Sequence, residues 1–375
     1  MSSTRERPGA CAGCLRRSWL LSALSASLEY RCRDRARLME LLRLSDEDLL
    51  HALAGRRRGE LKHGYEKFEV AKLTRAEGVS TLCGHDHSYP PRLSDPGAPR
   101  MLNVTGEAGR FGELTAAPTV AIIGSTRASD YGMEIARSLA RGLSASGVTV
   151  VGGLSDGIAV AAHAGALEVG GATVAVMPGG LDVACPARRR SLYARLRRSG
   201  CAVSELPCGT GPRRWGQLAA ERIVARLAAL TVVVEAKDTP GDLAGARIAE
   251  TLGRTVAAVP GRVTSPISGG AHALLMDGAR LVRGPADALE LLCGPGSPAT
   301  ATPADSHAAL EPRLRATLEN VGTGIDTPEK LTRGGGDSGE LLLALSELEL
   351  MGLLARGDGG RYVPRTAHLR DRPGP

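Results

Sequence analysis

Aromatic residues make up only 3% of the 375 residues: two Trp, two Phe and six Tyr. Folds that stack bases on exposed rings, such as OB-folds and RRM domains, need several such side chains. That mode is excluded, so any nucleic acid held here must be held through its phosphates. No uninterrupted apolar run reaches 18 residues, which excludes a helical membrane span. Arg16-Arg17 followed by Ser18–Ser27 loosely imitates a secretory signal, but its apolar stretch is short and broken by serines. Eight cysteines are scattered along a chain large enough to need no disulfide staples, so the expected compartment is the reducing cytoplasm.

Negative charge is scarce in one region. Between Pro186 and Arg226 stand Arg188, Arg189, Arg190, Arg195, Arg197, Arg198, Arg213, Arg214, Arg222 and Arg226. Only Glu205 and Glu221 oppose these ten, a local excess of +8 against +7 for the whole chain. Such concentration points to a polyanion partner, with solvated helix faces as the plain alternative.

Glycine is what the chain has in quantity, and its placement is patterned. VAIIGSTRASDYG (120–132), VTVVGGLSDGIAVAAHAGALEVGG (148–171) and ATVAVMPGG (172–180) each run from a Val/Ile-rich strand into glycine. The first two then open into a helical pattern. Strands are expected near 119–123, 148–152, 172–177, 201–205, 230–235 and 255–259. Helices are expected over 131–146, 157–170, 188–199, 214–228, 242–253 and 270–278. This alternation implies right-handed βαβ crossovers and a doubly wound α/β sheet. Ligands of such sheets sit at the C-terminal strand ends, where glycine turns and helix N-termini favour anions.

The layout divides the chain into five stretches. Residues 1–15 are expected to be a disordered N-terminus and 16–85 a helical domain. Residues 86–293 form the α/β core, 294–309 a Pro/Ala/Ser-rich linker, and 310–375 a small terminal domain. YEKFEVAKLTRAEGV (65–79) reads as a helix and MLNVTG (101–106) as an edge strand. The tail reads as a helix ended by Gly352, then a hairpin turning at Gly359-Gly360, the closing half of a winged helix.

The core motifs resemble, in order, those of the DprA/Smf family of DNA-processing proteins. The resemblance runs through Tyr89-Pro-Pro-Arg-Leu93, Gly124-Ser-Thr-Arg-Ala-Ser-Asp-Tyr-Gly132 and Gly153-Leu-Ser-Asp-Gly157 with Ala162-His163. It continues through Gly180-Leu-Asp182, Ser204-Glu-Leu-Pro-Cys-Gly-Thr-Gly-Pro212 and Ser268-Gly-Gly-Ala-His-Ala-Leu-Leu-Met-Asp-Gly278. The resemblance implies an extended Rossmann-like core, preceded by a helical SAM-like domain and followed by a winged-helix-like one. It also implies a non-enzymatic homodimer that binds single-stranded DNA. Such proteins protect incoming strands and load the RecA recombinase in natural transformation, without a cofactor. Thr126, Ala220, Glu221 and His272 depart from the family pattern; each removes a donor or adds an anion near the inferred phosphate site.

On this reading, Gly124, Ser125, Gly153, Ser155, Gly157, Gly179 and Gly180 cradle phosphates, and Arg127, Arg213, Arg214 and Arg222 supply charge. The plain alternative is that the glycines only make tight strand–helix turns. His163, in an alanine-rich helix, is expected to be a packed core histidine rather than a base. Cys11-x-x-Cys14 with Cys83, His85 and His87 raises a zinc reading. The two halves are distant and C-x-H-x-H is not a standard knuckle, so no metal is expected. Two further functions stay open. One is a LOG-like phosphoribohydrolase on the same sheet, although Pro178-Gly-Gly180 lacks the Gly-Thr and the catalytic glutamate of that family. The other is a partner-binding paralogue with weakened DNA affinity.

Overall fold

The computed structural model describes residues 9–70, 76–106, 108–183, 187–294, 311–322, 325–332, 338–351, 353–356 and 360–364. The expectations for residues 1–8, for the linker over 295–309 and for Gly352 and Gly359 of the tail lie outside these residues.

Five helices open the chain: α1 (Ala12–Ala23), α2 (Ser25–Arg31), α3 (Arg35–Arg43), α4 (Asp46–Leu53) and α5 (Arg58–Glu66). Ser45 caps α4 by accepting the Asp48 N–H at 3.1 Å, and Asp46, Glu47 and Asp48 fill its first turn. Carboxylates there meet the positive end of the helix dipole. Leu20, Leu24, Leu28, Leu38 and Leu49 are wholly buried and pack together with Trp215 and Leu218 of the core. The N-terminus departs from expectation. Residues 9–15 are not a loose tail, because α1 starts at Ala12 and buries Cys14 and Leu15.

The core then runs β1 (Val79–Cys83), β2 (Met101–Thr105), α6 (Ala108–Ala116), β3 (Thr119–Ile123), α7 (Asp130–Ala145), β4 (Thr149–Gly153), α8 (Ile158–Glu168) and β5 (Thr173–Val176). It continues with α9 (Arg190–Ser199), β6 (Cys201–Ser204), α10 (Arg214–Leu227), β7 (Leu230–Val233), α11 (Ala244–Thr251), β8 (Thr255–Ala258), α12 (Gly269–Met276), β9 (Arg280–Leu281) and α13 (Pro285–Cys293). The nine strands form one sheet in the order β1-β2-β6-β5-β4-β3-β7-β8-β9, parallel from β6 to β9. Alternate side chains of a strand face opposite layers. Val120 and Ile122 accordingly pack with α7 and α8, while Ala121 packs with α10 on the other face. This is a Rossmann-like doubly wound sheet.

Two expectations need correction. Met101–Thr105 is not an edge strand, because β1 covers it in antiparallel register, Val79 opposite Thr105 and Cys83 opposite Met101. The helix expected over 65–79 stops at Glu66; residues 67–69 and 76–78 are not α-helical, and 71–75 lie outside the described residues. A turn at Gly78, with φ +70°, leads into β1 instead. Five residues are too few for strand alternation to show in the sequence.

The tail contains α14 (Pro312–Gly322), α15 (Pro328–Thr332), α16 (Ser338–Leu350) and the antiparallel pair β10 (Leu354–Arg356) and β11 (Tyr362–Pro364). Leu314, Val321, Leu345, Leu348 and Tyr362 give it a core of its own. It docks on α7 through a dry ion pair: Arg141 Nη1 donates to Asp326 Oδ2 at 2.9 Å, both side chains almost fully buried.

Candidate nucleic-acid interface

The chain winds from β3 through β4 and β5 to β6 on one side, and from β7 to β9 on the other. The direction switches between β3 and β7, and at such a point the diverging loops leave a crevice. A cavity of about 120 Å³ lies there, lined by Gly124, Thr126, Gly153, Ser155, Gln217 and Glu221 among others.

The turns around it hold one another in place. The Ser125 N–H donates to the Glu235 carbonyl at 2.5 Å, and the Ser125 carbonyl accepts the Ile158 N–H at 3.2 Å. The Glu235 carboxylate accepts the Ser129 N–H at 2.8 Å and its hydroxyl at 2.6 Å, fixing the start of α7. Gly157 has φ +74°, and a Cβ there would collide with the Ser125 carbonyl. This glycine is thus required by left-handed backbone and by a neighbouring turn at once. His163 is fully buried; its Nδ1 lies 2.6 Å from Thr173 Oγ1 and its Nε2 2.9 Å from the Gly153 carbonyl. Burial lowers its pKa to about 4, so the ring is neutral near pH 7 and braces the β4 turn.

A second pair of turns extends the surface. The Gly180 N–H donates to the Thr210 carbonyl at 2.8 Å, and the Gly209 N–H to the Asp182 carboxylate at 2.8 Å. This binds the β5 turn to the segment entering α10. Arg213 and Arg214 stand exposed at the start of that helix, one turn before Gln217 in the cavity wall. Arg127 is exposed after the β3 turn. In the β4 turn, Asp156 is bridged by Arg188 and by Arg189 at 3.2 Å, which cancels its charge.

The structure therefore gathers Gly124, Gly153 and Ser155 at the cavity, with Ser125 and Gly157 directly behind it. It sets Gly179, Gly180, Arg213 and Arg214 alongside. Arg222 does not belong to this surface. It is buried, and its Nη2 donates to Glu205 Oε1 and Oε2 at 2.6 and 2.7 Å. Arg226, the other charge on that helix, is buried against Asp95 at 3.0 Å. The family-pattern departures fall in different places. Thr126 lines the cavity, Ala220 joins the hydrophobic core as well as the cavity wall, and His272 ties α12 to Gly261 at 3.1 Å.

Glu221 is the departure with electrostatic weight. Its side chain retains 25% exposure in the cavity wall and lies 3.7 Å from Arg35 of α3. Burial raises its pKa to about 7, against the pull of Arg35 and Gln217, and Asp242 nearby adds to the rise. Gln217 and Asp242 were not among the expected site residues; no local pattern marks them, because only the meeting of α10 with the 241–245 turn brings them in. The two halves of the weighed zinc motif, expected to lie apart, converge: Cys11, Cys14, Cys83 and His85 place their ligand atoms within 4.8 Å of one another, without His87.

Residues 80–293 match the sequence profile of the family described as DNA recombination-mediator protein A. A protein of Mycobacterium tuberculosis carrying the name DNA processing protein DprA is 38% identical over 293 residues, spanning 77% of this chain and 72% of that one. Protein Smf of Escherichia coli is 35% identical over 310 residues, 78% and 82% of the two chains. The crystal structure of DNA processing protein A from Streptococcus pneumoniae superposes with a TM-score of 0.58 at 28% identity, covering 75% of this chain and 98% of that one.

Proposed function

Because the chain belongs to the DNA recombination-mediator protein A family, the DprA/Smf proteins of DNA processing, we propose that it binds single-stranded DNA through the cavity rim. The strand lies across the turns after β3, β4 and β5, and Arg127, Arg213 and Arg214 neutralise its phosphates. The observation carrying this reading is that Arg213 and Arg214 stand exposed beside glycine turns at the switch point of the sheet. With few rings to stack bases, affinity rests on charge and ignores base sequence. The protein acts in the cytoplasm, without cofactor or turnover, and passes the strand to the RecA recombinase. It works as a homodimer; Met276 at the end of α12 and Leu281 in β9, 88% and 50% exposed, are apolar positions open to a second copy.

Fluorescence anisotropy of a labelled oligo(dT) tests this across a salt series. Three phosphate contacts contribute a slope of about −2 in log K against log salt for a single strand. A flat salt dependence would sink the proposal. Glu221 and Asp242 in the cavity wall support a second reading, a paralogue whose DNA affinity is weakened; binding confined to very low salt would favour it. Release of adenine from AMP would instead identify a phosphoribohydrolase.

A further inference from the structure

Cys11 occupies the N-cap of α1 and Cys14 its first turn, so the three-residue spacing puts both thiols on one side of the helix start. Cys83 is the last residue of β1, and His85 stands in the turn that follows, closed by the Asp86 N–H donating to the Cys83 carbonyl at 2.8 Å. Although Cys11 and Cys83 are 72 residues apart in sequence, the Cys11 N–H lies 3.5 Å from Cys83 Sγ. Next to them, the Ala10 N–H donates to Thr81 Oγ1 at 2.9 Å. The helix start is thereby laid along the edge strand.

One atom sits at the focus of the group. His85 Nδ1 is 3.5 Å from Cys11 Sγ, 3.6 Å from Cys14 Sγ and 3.7 Å from Cys83 Sγ. A tetrahedral zinc ion, with Zn–S near 2.3 Å and Zn–N near 2.05 Å, requires S···N edges of about 3.6 Å. The three edges agree with that requirement. A disulfide would use two of the sulfurs and leave the third, and the imidazole aimed at all three, without a role. We propose that Cys11, Cys14, Cys83 and His85 bind one zinc ion that staples the first helix to the edge strand of the sheet.

All four positions of the tetrahedron are filled by protein, so the site is structural and not catalytic. Cys14 and Cys83 are buried with Leu15 and Met101, while Cys11 and His85 face solvent and give the ion its way in. The staple closes a loop containing the helical domain, so metal binding is coupled to how that domain is seated. This holds whether or not the protein binds DNA.

The test uses the full chain, purified without an affinity tag that could carry metal. Plasma emission should find one zinc per chain. Cys14→Ser with Cys83→Ser should remove it, and His87→Ala should keep it, because His87 is not in the cluster. In case the double variant does not fold, the reduced wild-type chain is freed of metal and titrated with Co(II). It should develop the visible bands of tetrahedral cobalt and a thiolate charge-transfer band at one equivalent, and zinc should then displace both. Zinc well below one per chain with no such cobalt spectrum overturns the proposal. A disulfide among Cys11, Cys14 and Cys83 in protein alkylated without air overturns it too.

Discussion

α9 and α10 carry arginine in similar measure and use it in opposite ways. On α9, Arg190, Arg195, Arg197 and Arg198 are exposed along a helix that buries little but Leu196. On α10, Arg214 is exposed at the first turn, but Arg222 and Arg226 are buried and held by Glu205 and Asp95. α10 lies between the sheet and the N-terminal helices, with Trp215, Leu218 and Ala219 against the latter. A guanidinium in its middle can only be retained with a carboxylate and hydrogen bonds. The same residue type thus serves the surface of one helix and the interior of the other, and counting charge along the chain cannot separate them.

Arg222→Ala should give the largest effect, since it leaves the Glu205 carboxylate buried and unpaired. The loss in denaturant-unfolding free energy should be about 3–5 kcal/mol. A loss below 1 kcal/mol would mean that Arg222 faces solvent after all. Next comes the exposed end of the same helix. Arg213→Glu with Arg214→Glu should weaken oligo(dT) binding at least tenfold, about 1.4 kcal/mol, with an unchanged unfolding midpoint. Unaltered affinity would remove these residues from the interface.

Glu221 should give a smaller, pH-dependent effect. Its folded pKa is raised from 4.5 to about 7, chiefly by burial. Between those values the folded state holds a proton that the unfolded state has released. Stability should therefore fall as pH rises from about 4.5 to 7 and level off above. Above pH 7 the ionised carboxylate also repels phosphate, so affinity should drop a few-fold between pH 6 and pH 8. Glu221→Gln should flatten both profiles; a variant as pH-dependent as the parent would contradict this. Smallest of all, Arg197→Ala with Arg198→Ala should stay within about 0.5 kcal/mol of the parent in stability. A clear destabilisation would erase the contrast between the two helices.

The α/β core was legible because its strands are strongly apolar and end in glycine, and the observed elements from β3 to α12 lie close to those expected. The turn glycines Gly124 and Gly157 were legible by their place at the strand ends, although what requires them is remote in sequence: a Cβ on Gly124 would meet the Glu235 carbonyl, and one on Gly157 the Ser125 carbonyl. What escaped depends on distant partners. Arg222 looks like a surface charge until Glu205, from another strand end, closes on it. The short β1 is visible only through its pairing with β2. The residues of the Cys11–His85 cluster were visible in the sequence, but their meeting was not, because it needs both β1 and an ordered start to α1.

At the start of α10, the Trp215 N–H donates to Glu29 Oε2 at 3.2 Å, and the Trp215 indole N–H to Ser25 Oγ at 2.8 Å. The helix mouth that could receive a phosphate already holds one of the protein's own carboxylates. On the proposed reading, a strand at this point would meet guanidinium groups on long stems, not a rigid fan of backbone amides. Attraction of that kind depends weakly on angle. At this end of α10 the proposed surface therefore works through the charge of Arg213 and Arg214 more than through fixed hydrogen-bond geometry.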